Sequence, residues 1–370
     1  MTNNLYKKIE VKTNNTQYPI IIGKNSLQEL ESFLKNSKYS KVFIITDENV
    51  HKLHFTRLNN IINKIDITSH CLITEASEKS KSFSNLEKIC EEIISFNPDR
   101  KSLIIAFGGG VVGDLSGFIA SILLRGIDFI QLPTTLLASV DSSVGGKTAI
   151  NSKLGKNLIG SFYQPKLVIC DTYLLSTLPI RDLRSGYAEV LKYGLIFDKI
   201  FFHFLEENYH KIFSLEEEIL KEIIFKSCEI KANIVGIDEK EQNIRALLNF
   251  GHSFGHLFET ETNYSNELLH GEAVALGMAM ASKMSLNFQL INLEEYKIII
   301  QHLEIAGFII DPKKIRSSWN IDNLTSSLYR DKKVENNSLT FILLESIGKA
   351  VIKKNVDIKK FQQVMNDFLS

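Results

Sequence analysis

Apolar and polar residues follow two alternating patterns along the first half of the chain. Short runs rich in β-branched and aromatic residues are separated by segments with a helical spacing of apolar positions, such as 83-FSNLEKICEEIISF-96. This βαβ order predicts a parallel sheet covered by helices. The predicted strands are 42-VFIIT-46, 103-LIIAF-107, 129-FIQLP-133 and 167-LVICD-171, with 6-YKKIEVK-12 and 18-YPIII-22 as an edge hairpin and two further short strands within 339-LTFILLESIGKAVIKK-354.

The pattern changes in the second half of the chain. From about Leu178 to Arg330 the strand signal fades, and long amphipathic segments such as 215-LEEEILKEIIFKSCEIKANIV-235 predict helices. We therefore expect an α/β protein with two domains. The first is an α/β domain with a parallel sheet over residues 1–176, and the second is an all-helical domain over residues 177–370.

The composition narrows the classes of function. Lysine plus arginine and aspartate plus glutamate each number 43, so the formal net charge is zero and no general attraction to nucleic acid or an anionic membrane is expected. The four cysteines are far apart and form no CxxC pair, which argues against a thiolate zinc site or a disulfide framework. No apolar run reaches the roughly 20 residues of a membrane span, and the N-terminus lacks a secretion signal. These features predict a cytoplasmic protein that binds neither nucleic acid nor membrane.

Two glycine-rich segments are candidates for phosphate binding. The segment 108-GGGVVGD-114 has the G-x-G-x-x-G spacing and joins a predicted strand to a predicted helix, 115-LSGFIASILL-124. Backbone N–H groups of such a turn bind pyrophosphate, although the same glycines also serve tight packing alone. The acidic residue expected some 20 positions downstream is poorly matched, and Asp47 is better placed, at the end of a strand. The segment 141-DSSVGGKT-148 ends like a P-loop but has Asp141 in place of its first glycine.

The segment 249-NFGHSFGH-256 contains two histidines that share one helix face, because His252 and His256 are four residues apart. His270 begins another helix rich in small residues, and Glu189 lies on an apolar helix face. Two histidines and one glutamate would leave an open coordination position, as catalytic zinc sites require. Histidines on such faces also occur as hydrogen-bonded core residues. From the residues alone, a metal site and a packed core both remain open.

Basic residues accompany both regions. Lys147 and Lys156 lie in glycine-rich sequence, and Lys192, Lys231 and Arg245 are near the candidate metal ligands or the turn before them. Lysines on a charged helix usually face solvent. The alternative is a phosphate or carboxylate pocket, in which arginine binds in a bidentate manner and lysine acts as a point charge.

Taken together, these stretches resemble the 3-dehydroquinate synthase family of sugar-phosphate cyclases. The resemblance covers nearly the whole chain, and its motifs are long and ordered. It implies a Rossmann-like NAD-binding N-terminal domain, a helical C-terminal domain that binds metal and substrate, and a homodimer. The implied cofactors are NAD and one divalent metal, zinc in the first place and cobalt as the alternative. The motifs are 46-TDENV-50, 106-AFGGGVVGDLSGFIA-120, 131-QLPTTLLASVDSSVGGKTAIN-151, 186-GYAEVLKYG-194, 249-NFGHSFGH-256 and 269-LHGEAVALGM-278.

The resemblance also implies roles for individual residues. The metal ligands would be Glu189, His252 and His270. NAD would be bound by Asp47, Glu78, Lys81, Gly109, Gly110, Asp114, Thr134, Thr135, Asp141, Lys147 and Lys156. The substrate would be bound by Arg125, Lys147, Lys156, Asn157, Lys192, Lys231, Arg245, Asn249 and His256, joined by one lysine of 331-DKK-333, with the matching arginine donated by the neighbouring subunit in family dimers. Catalysis would involve His256, Lys147, Asp141, Lys192 and Arg245. One departure is Ser77, which stands where the family commonly has glycine and could shift the turn that carries Glu78 and Lys81.

The implied reaction is a lyase step of the shikimate pathway, which leads to the aromatic amino acids. It converts 3-deoxy-D-arabino-heptulosonate 7-phosphate to 3-dehydroquinate and phosphate, through transient NAD-dependent oxidation, β-elimination of phosphate, re-reduction and intramolecular aldol closure. Two alternatives are another sugar-phosphate cyclase and a metal-dependent polyol dehydrogenase of the same architecture. The many candidate phosphate-binding cations argue against the dehydrogenase. A binding or scaffold protein without activity is disfavoured by the intact set Glu189, His252 and His270.

Overall fold

The structure of the protein is a computed structural model that describes residues 5–331 and 339–369. The chain divides into two compact units. The first contains Met1–Pro179 and Leu215–Lys240, and the second contains Ile180–Ser214 and Glu241–Ser370. Within the described ranges, none of the helices combines the length and the apolar character that a membrane span needs.

Eleven strands and twelve helices occur in the described residues. The strands are β1 (Lys7–Lys12), β2 (Gln17–Gly23), β3 (Lys41–Asp47), β4 (Thr68–Thr74), β5 (Ser102–Gly108), β6 (Asp128–Pro133), β7 (Lys147–Ser152), β8 (Gly155–Phe162), β9 (Val168–Asp171), β10 (Leu339–Ser346) and β11 (Lys349–Val356). The helices are α1 (Glu29–Lys35), α2 (Glu48–Ile62), α3 (Phe83–Ser95), α4 (Gly110–Ile122), α5 (Ile180–Phe197), α6 (Lys199–Phe213), α7 (Glu217–Ile237), α8 (His252–Glu261), α9 (His270–Asn287), α10 (Leu293–Ile305), α11 (Ile321–Asp331) and α12 (Ile358–Leu369).

A seven-stranded sheet organises the first unit, in the order β1-β2-β9-β6-β5-β3-β4. Only the edge pair β1–β2 is antiparallel, and each other neighbouring pair is parallel. Each predicted strand of this sheet is confirmed, as is the edge hairpin, whereas β4 was not predicted. The predicted parallel sheet is therefore confirmed.

Both faces of this sheet are covered, which explains why its central strands are apolar at successive positions. Ile44 and Ile105 belong to the core on one face, together with Leu58 of α2. Phe43 and Ile104, their neighbours in sequence, belong to the core on the opposite face, which includes residues of α3 and α4. Because side chains alternate across a strand, a strand that is buried on both faces shows no polar alternation.

The order in which the chain adds strands to the sheet reverses between the neighbouring strands β3 and β5. From β3 the chain passes to β4 on one side, and from β5 it passes to β6 on the other, so that α2 and α4 cover opposite faces. Ligands of open α/β sheets bind at such a switch point, outside the carboxyl ends of the strands. Asp47 ends β3 and Gly109 follows β5, so both lie at this position. This topology accounts for a glycine motif on a middle strand.

The division into units differs in one respect from the predicted two domains. The predicted boundary at 176/177 lies just before the first break, at 179/180, and it stays a prediction. The segment Leu215–Lys240 then returns to the first unit, whereas its sequence pattern placed it in the helical domain. Its helix α7 packs against β1, where Lys7 forms an ion pair with Glu222 and lies 4.5 Å from the ring centre of Phe225.

Helices make up the second unit, apart from the antiparallel hairpin β10–β11 among its described residues. The helical character of this part is confirmed, and the hairpin corrects the expectation of an all-helical domain. The hairpin forms for a local reason, because the apolar run 339–344 and the turn at Gly348 favour strands, as the sequence pattern predicted. Helices α5 and α9 are buried along almost their whole length and form the centre of this unit.

Candidate active site

Three helices of the second unit bring together the predicted metal ligands. Glu189 lies in the middle of the buried helix α5, whereas His252 and His270 are the first residues of α8 and α9. Helix α8 begins at His252 because Gly251, with a φ of 82°, adopts a left-handed conformation that favours glycine. The start of each of these two helices therefore presents an imidazole next to the carboxylate of Glu189.

The donor atoms of these three residues converge on one point. Glu189 Oε1 lies 3.5 Å from His252 Nε2 and 3.4 Å from His270 Nε2, and all three donor atoms lie within 4.8 Å of one another. Tetrahedral bonds of about 2.0–2.1 Å to one cation would place neighbouring donors about 3.3–3.4 Å apart. Two imidazoles and a carboxylate are also the donor set of catalytic zinc sites that retain an open position. The residues therefore fit a divalent metal.

Acceptors on the far side of each imidazole set its orientation. The backbone carbonyl oxygen of Phe250 lies 3.2 Å from His252 Nδ1 and can only accept, so this Nδ1 carries a proton. On His270, Nδ1 lies 3.3 Å from the Oε1 atom of Glu259. Both contacts leave Nε2 as the nitrogen that faces Glu189, which is the arrangement that supports metal-binding histidines.

The charges in this cluster differ between the two histidines. Burial and the neighbouring Lys192 ammonium lower the pKa of His252 to about 3, so this imidazole is neutral at physiological pH. Burial also disfavours protonation of His270, but the carboxylates of Glu259 and Glu189 outweigh it and raise the pKa of His270 to about 10. Without a metal, the positive charge between the two carboxylates is therefore a proton on His270. A divalent cation there would replace this proton.

Two further predicted residues lie beside the metal cluster. Lys192 is 2% exposed and forms an ion pair with the fully buried Glu189, one helical turn away on α5. The ring of His256 is 5.3 Å from the ring of His252, and its Nε2 is 3.9 Å from Glu259 Oε2. The structure thus brings Lys192 and His256 together with the predicted ligands. Glu259, which the sequence analysis missed, lies three residues after His256 on the same helix.

The turn that leads into α8 carries two more predicted residues. Arg245 is buried in the 3₁₀ turn Ile244–Asn249. Asn249 ends this turn and donates a hydrogen bond to Glu241 Oε1 at 2.7 Å. Glu241 is a second residue that the sequence analysis missed. The predicted lysine contact of 331–333 falls on Lys332 or Lys333, which lie outside the described residues.

In the first unit, the buried Lys81 contacts three other predicted residues. Lys81 is 4% exposed, and its Nζ lies 2.6 Å from Asp114 Oδ2 and 3.7 Å from Glu78 Oε1. The same Nζ also donates to the side-chain oxygen of Asn157. Burial tends to lower the pKa of Lys81, but the two carboxylates reverse that effect and raise it, so the ammonium stays charged. This places Asn157 with predicted NAD residues, although the sequence assigned it to the substrate.

Ser77 stabilises the turn that carries Glu78 and Lys81. Ser77 has an extended backbone, with φ of −152°, which any residue adopts. Its hydroxyl accepts a hydrogen bond from the Lys79 N–H at 3.2 Å and caps the short 3₁₀ helix Glu78–Ser80. The serine therefore caps the turn that carries Glu78 and Lys81, and its backbone conformation does not require glycine.

The glycine turn after β5 lies against the threonines that follow β6. A Cβ on Gly109 would lie 3.2 Å from the side chain of Thr135, and Thr134 N–H donates to the Gly108 carbonyl oxygen at 3.0 Å. Helix α4 begins at Gly110, so the N–H groups of its first turn lie just beyond the carboxyl end of β5. At the same edge, Asp47 Oδ1 accepts hydrogen bonds from two N–H groups of α2 and caps it.

The remaining predicted residues of the first unit are spread over three places. Lys231 of α7 donates to the backbone oxygen of Asp141 at 2.6 Å and to its Oδ1 at 2.7 Å, so these two predicted residues are together. Lys147 and Lys156 lie on the hairpin β7–β8. Arg125 is exposed and has a φ of 68°, a strained value for a residue with a Cβ.

Comparisons with known proteins give the same family for both halves of the chain. The sequence profile described as 3-dehydroquinate synthase N-terminal matches residues 71–185, and the profile described as 3-dehydroquinate synthase C-terminal matches residues 186–334. The 3-dehydroquinate synthase of Bartonella quintana is 47% identical over 358 residues, which is 95% of each chain. The 3-dehydroquinate synthase of Thermoanaerobacter pseudethanolicus is 43% identical over 345 residues, 93% of this chain and 96% of that relative.

Solved structures with the same fold include sugar-phosphate cyclases. A 2-deoxy-scyllo-inosose synthase complexed with carbaglucose-6-phosphate, NAD+ and Co2+ superposes with a TM-score of 0.89 at 25% identity, over 98% of this chain and 100% of that chain. A 2-epi-5-epi-valiolone synthase from Streptomyces hygroscopicus, with NAD+ and Zn2+ bound, has a TM-score of 0.87 at 24% identity, over 96% of this chain and 98% of that chain. A glycerol dehydrogenase from Schizosaccharomyces pombe shares the fold at a TM-score of 0.69 and 16% identity, over 95% of this chain and 88% of that chain.

Proposed function

This chain belongs to the 3-dehydroquinate synthase family, and on that basis we propose that it converts 3-deoxy-D-arabino-heptulosonate 7-phosphate to 3-dehydroquinate and phosphate. The carrying observation is that both halves of the chain match the family, in a protein whose second unit holds a cluster of two histidines and one glutamate. The enzyme is a lyase of the shikimate pathway and uses NAD and one divalent metal, zinc in the first place and cobalt as the alternative.

The proposed roles in the second unit follow from charge and position. Glu189, His252 and His270 hold the metal. When bound, the metal lowers the pKa of a substrate hydroxyl and NAD reversibly accepts a hydride. Lys192 and Arg245 attract the anionic groups of the substrate, and Arg245 supplies a bidentate fork. Substrate binding thereby orients the reacting carbon atoms, which is where the largest rate contribution is expected.

His256 is proposed to face the leaving phosphate. Its side chain is 38% exposed, so it is accessible to a substrate group. An imidazole N–H next to that phosphate stabilises the negative charge as the C–O bond breaks. Asn249 is proposed to bind a substrate hydroxyl. The predicted substrate-binding residues of the first unit stay predictions, and so do the NAD contacts there.

We also propose a homodimer that works in the cytoplasm. Support for the dimer comes from apolar side chains that lie exposed on the hairpin β7–β8, where Leu154 is 93% exposed and Leu158 is 63% exposed. Patches of this kind mark interaction surfaces. The four cysteines are free, as expected for a reducing compartment. Light scattering of the purified protein tests the dimer, since a monomer mass would refute it, and cell fractionation tests the compartment.

The function is tested by incubating the metal-loaded protein with the heptulosonate phosphate and a trace of NAD. We expect phosphate release far in excess of the NAD present, without lasting NADH absorbance, because each hydride that NAD accepts is returned within the same turnover. NADH accumulation without phosphate release would instead identify a polyol dehydrogenase. If the protein did not convert the heptulosonate phosphate but converted another sugar phosphate, it would be a different cyclase. Heptulosonate phosphate incubated with chelator-treated protein serves as the control.

A further inference from the structure

One face of helix α8 carries a third functional side chain. His252, His256 and Glu259 occupy positions i, i+4 and i+7, which lie on the same side of a helix. The Glu259 side chain is only 4% exposed. Buried carboxylates require charged or hydrogen-bonding partners, because burial alone strongly disfavours the charge. The partners of Glu259 therefore indicate its purpose.

Each oxygen of Glu259 faces a different histidine. Oε1 is 3.3 Å from Nδ1 of His270, and Oε2 is 3.9 Å from Nε2 of His256. On the other side of His270, Nε2 is 3.4 Å from Glu189 Oε1. The imidazole of His270 is thus held between two carboxylates, one of which also approaches His256.

We propose that Glu259 is a positioning residue that orients the metal ligand His270 through one oxygen and the phosphate-facing His256 through the other. The second half of this proposal rests on the proposed function, whereas the first half rests only on the metal cluster. Glu259 touches neither substrate nor metal in this scheme. It acts by fixing two imidazoles relative to each other.

The mechanism of positioning is the choice of the nitrogen that keeps its proton. An ionised carboxylate accepts hydrogen bonds and cannot donate them, so it keeps one proton of His270 on Nδ1, and Nε2 is the nitrogen that would give up its proton to a metal and bind it through its lone pair. The lone pair then faces the side on which Glu189 lies. Partners of this kind orient metal-bound histidines and raise their basicity, and their loss typically costs about 10- to 100-fold in metal affinity or activity.

The backbone of Glu259 is itself held in place at the end of α8. The backbone oxygen of Glu259 accepts hydrogen bonds from the Tyr264 N–H at 2.8 Å and from the Thr262 hydroxyl at 3.1 Å. The chain therefore closes over the last turn of the helix at this residue. A side chain on such a rigid position is suited to orient others.

The test compares Glu259→Gln with the matched control Glu261→Gln, two residues further on the same helix. Glutamine keeps the shape of glutamate, but its amide N–H₂ can face His270 and favour the wrong tautomer. We expect zinc affinity, measured by competition with a chromogenic chelator, to fall by about 10- to 100-fold in Glu259→Gln. Zinc affinity in the control should stay close to that of the unchanged protein. Glu259→Asp retains the charge and should recover part of the loss.

Nitrogen-15 NMR of the labelled histidines provides a readout that a purely structural role would not change. The signals of His270 and His256 are assigned from the spectra of His270→Asn and His256→Asn, in which they vanish or shift. In the zinc-loaded protein, we expect Glu259→Gln to alter both of these signals. Unchanged zinc affinity in Glu259→Gln would overturn the proposal. Lower affinity with unaltered histidine signals and a reduced melting temperature would also overturn it, because Glu259 would then only support the fold.

These measurements separate this proposal from the proposed function. Zinc affinity and histidine spectra require no substrate, so they can support the role of Glu259 even if heptulosonate phosphate is not turned over. If the substrate is turned over, Glu259→Gln at saturating zinc should lower kcat by about 10-fold or more, with a smaller effect on KM. If Glu259→Gln altered the signal of His256 but not that of His270, the part of the proposal that concerns the metal ligand would be overturned.

Discussion

Glu189→Ala is expected to abolish tight metal binding and turnover, and also to destabilise the protein. The carboxylate is the donor that both His252 and His270 approach. Loss of a residue that only orients a metal ligand lowers affinity by up to about 100-fold, so loss of this donor should lower zinc affinity by more than about 100-fold. The same substitution leaves the ammonium of Lys192 buried without its carboxylate. Breaking a buried ion pair costs about 3–5 kcal/mol in the free energy of unfolding.

His252→Ala is the matched comparison for this prediction. It removes a proposed ligand that is neutral and leaves the pair of Glu189 and Lys192 intact. Zinc binding and turnover should therefore be lost, while the free energy of unfolding of the metal-free protein changes much less. Chelator competition measures the affinity, and urea unfolding of the metal-free proteins measures the stability. Phosphate release at the original rate by either metal-free variant would contradict the metal assignment. Equal stability of the two variants would contradict the role of the buried pair.

Strands with strong local signals could be predicted from the sequence, and weaker ones could not. The run 103-LIIAF-107 is buried on both faces and therefore apolar throughout, which made β5 recognisable. The edge strand β4, 68-TSHCLIT-74, is half covered and mixes polar with apolar residues. The strand β8, 155-GKNLIGSF-162, contains two glycines, which lower β-propensity. Both strands form because a neighbour offers pairing partners, which a local pattern does not contain.

The candidate site shows the same division between local and long-range information. The proposed ligands His252, His270 and Glu189 were predicted from residue types and from the family resemblance, and their convergence is a consequence of helix packing. Glu259 carried a signal in its spacing from His252 and His256, but a glutamate on a helix usually faces solvent. Its burial depends on α9 lying against α8, which no single segment of the sequence indicates.

The glycines next to the histidines acquire a meaning only through that packing. Gly255 precedes His256, and a Cβ there would lie 2.8 Å from the Ala273 carbonyl oxygen of α9. In the opposite direction, a Cβ on Gly277 of α9 would lie 1.9 Å from the Gly251 carbonyl oxygen. The helices that begin with His252 and His270 thus cross so closely that their backbones touch. The close crossing of α8 and α9 explains why a side chain is excluded at these glycines, which the sequence alone does not.

Gly277→Ala is therefore expected to impair both stability and metal binding, although alanine favours helices. The gain in helix propensity is about 1 kcal/mol. The added methyl group would meet backbone atoms of Gly251 and Gly255, which cannot rotate away as a side chain does. Overpacking costs typically about 1–3 kcal/mol and more where the backbone must move, so we expect a net loss of about 2 kcal/mol or more in the free energy of unfolding.

The metal affinity should fall with the stability, because separation of α8 from α9 moves His252 away from His270. Gly155→Ala is the matched control, since its Cβ would meet only the flexible end of Leu158, at 3.2 Å, on an exposed hairpin. Urea unfolding and chelator competition on both variants measure the two effects. Full zinc affinity in a destabilised Gly277→Ala protein would mean that the crossing stabilises the fold without positioning the ligands. Joint loss of stability and affinity would mean that the close helix crossing itself holds the two imidazoles at metal-binding distance.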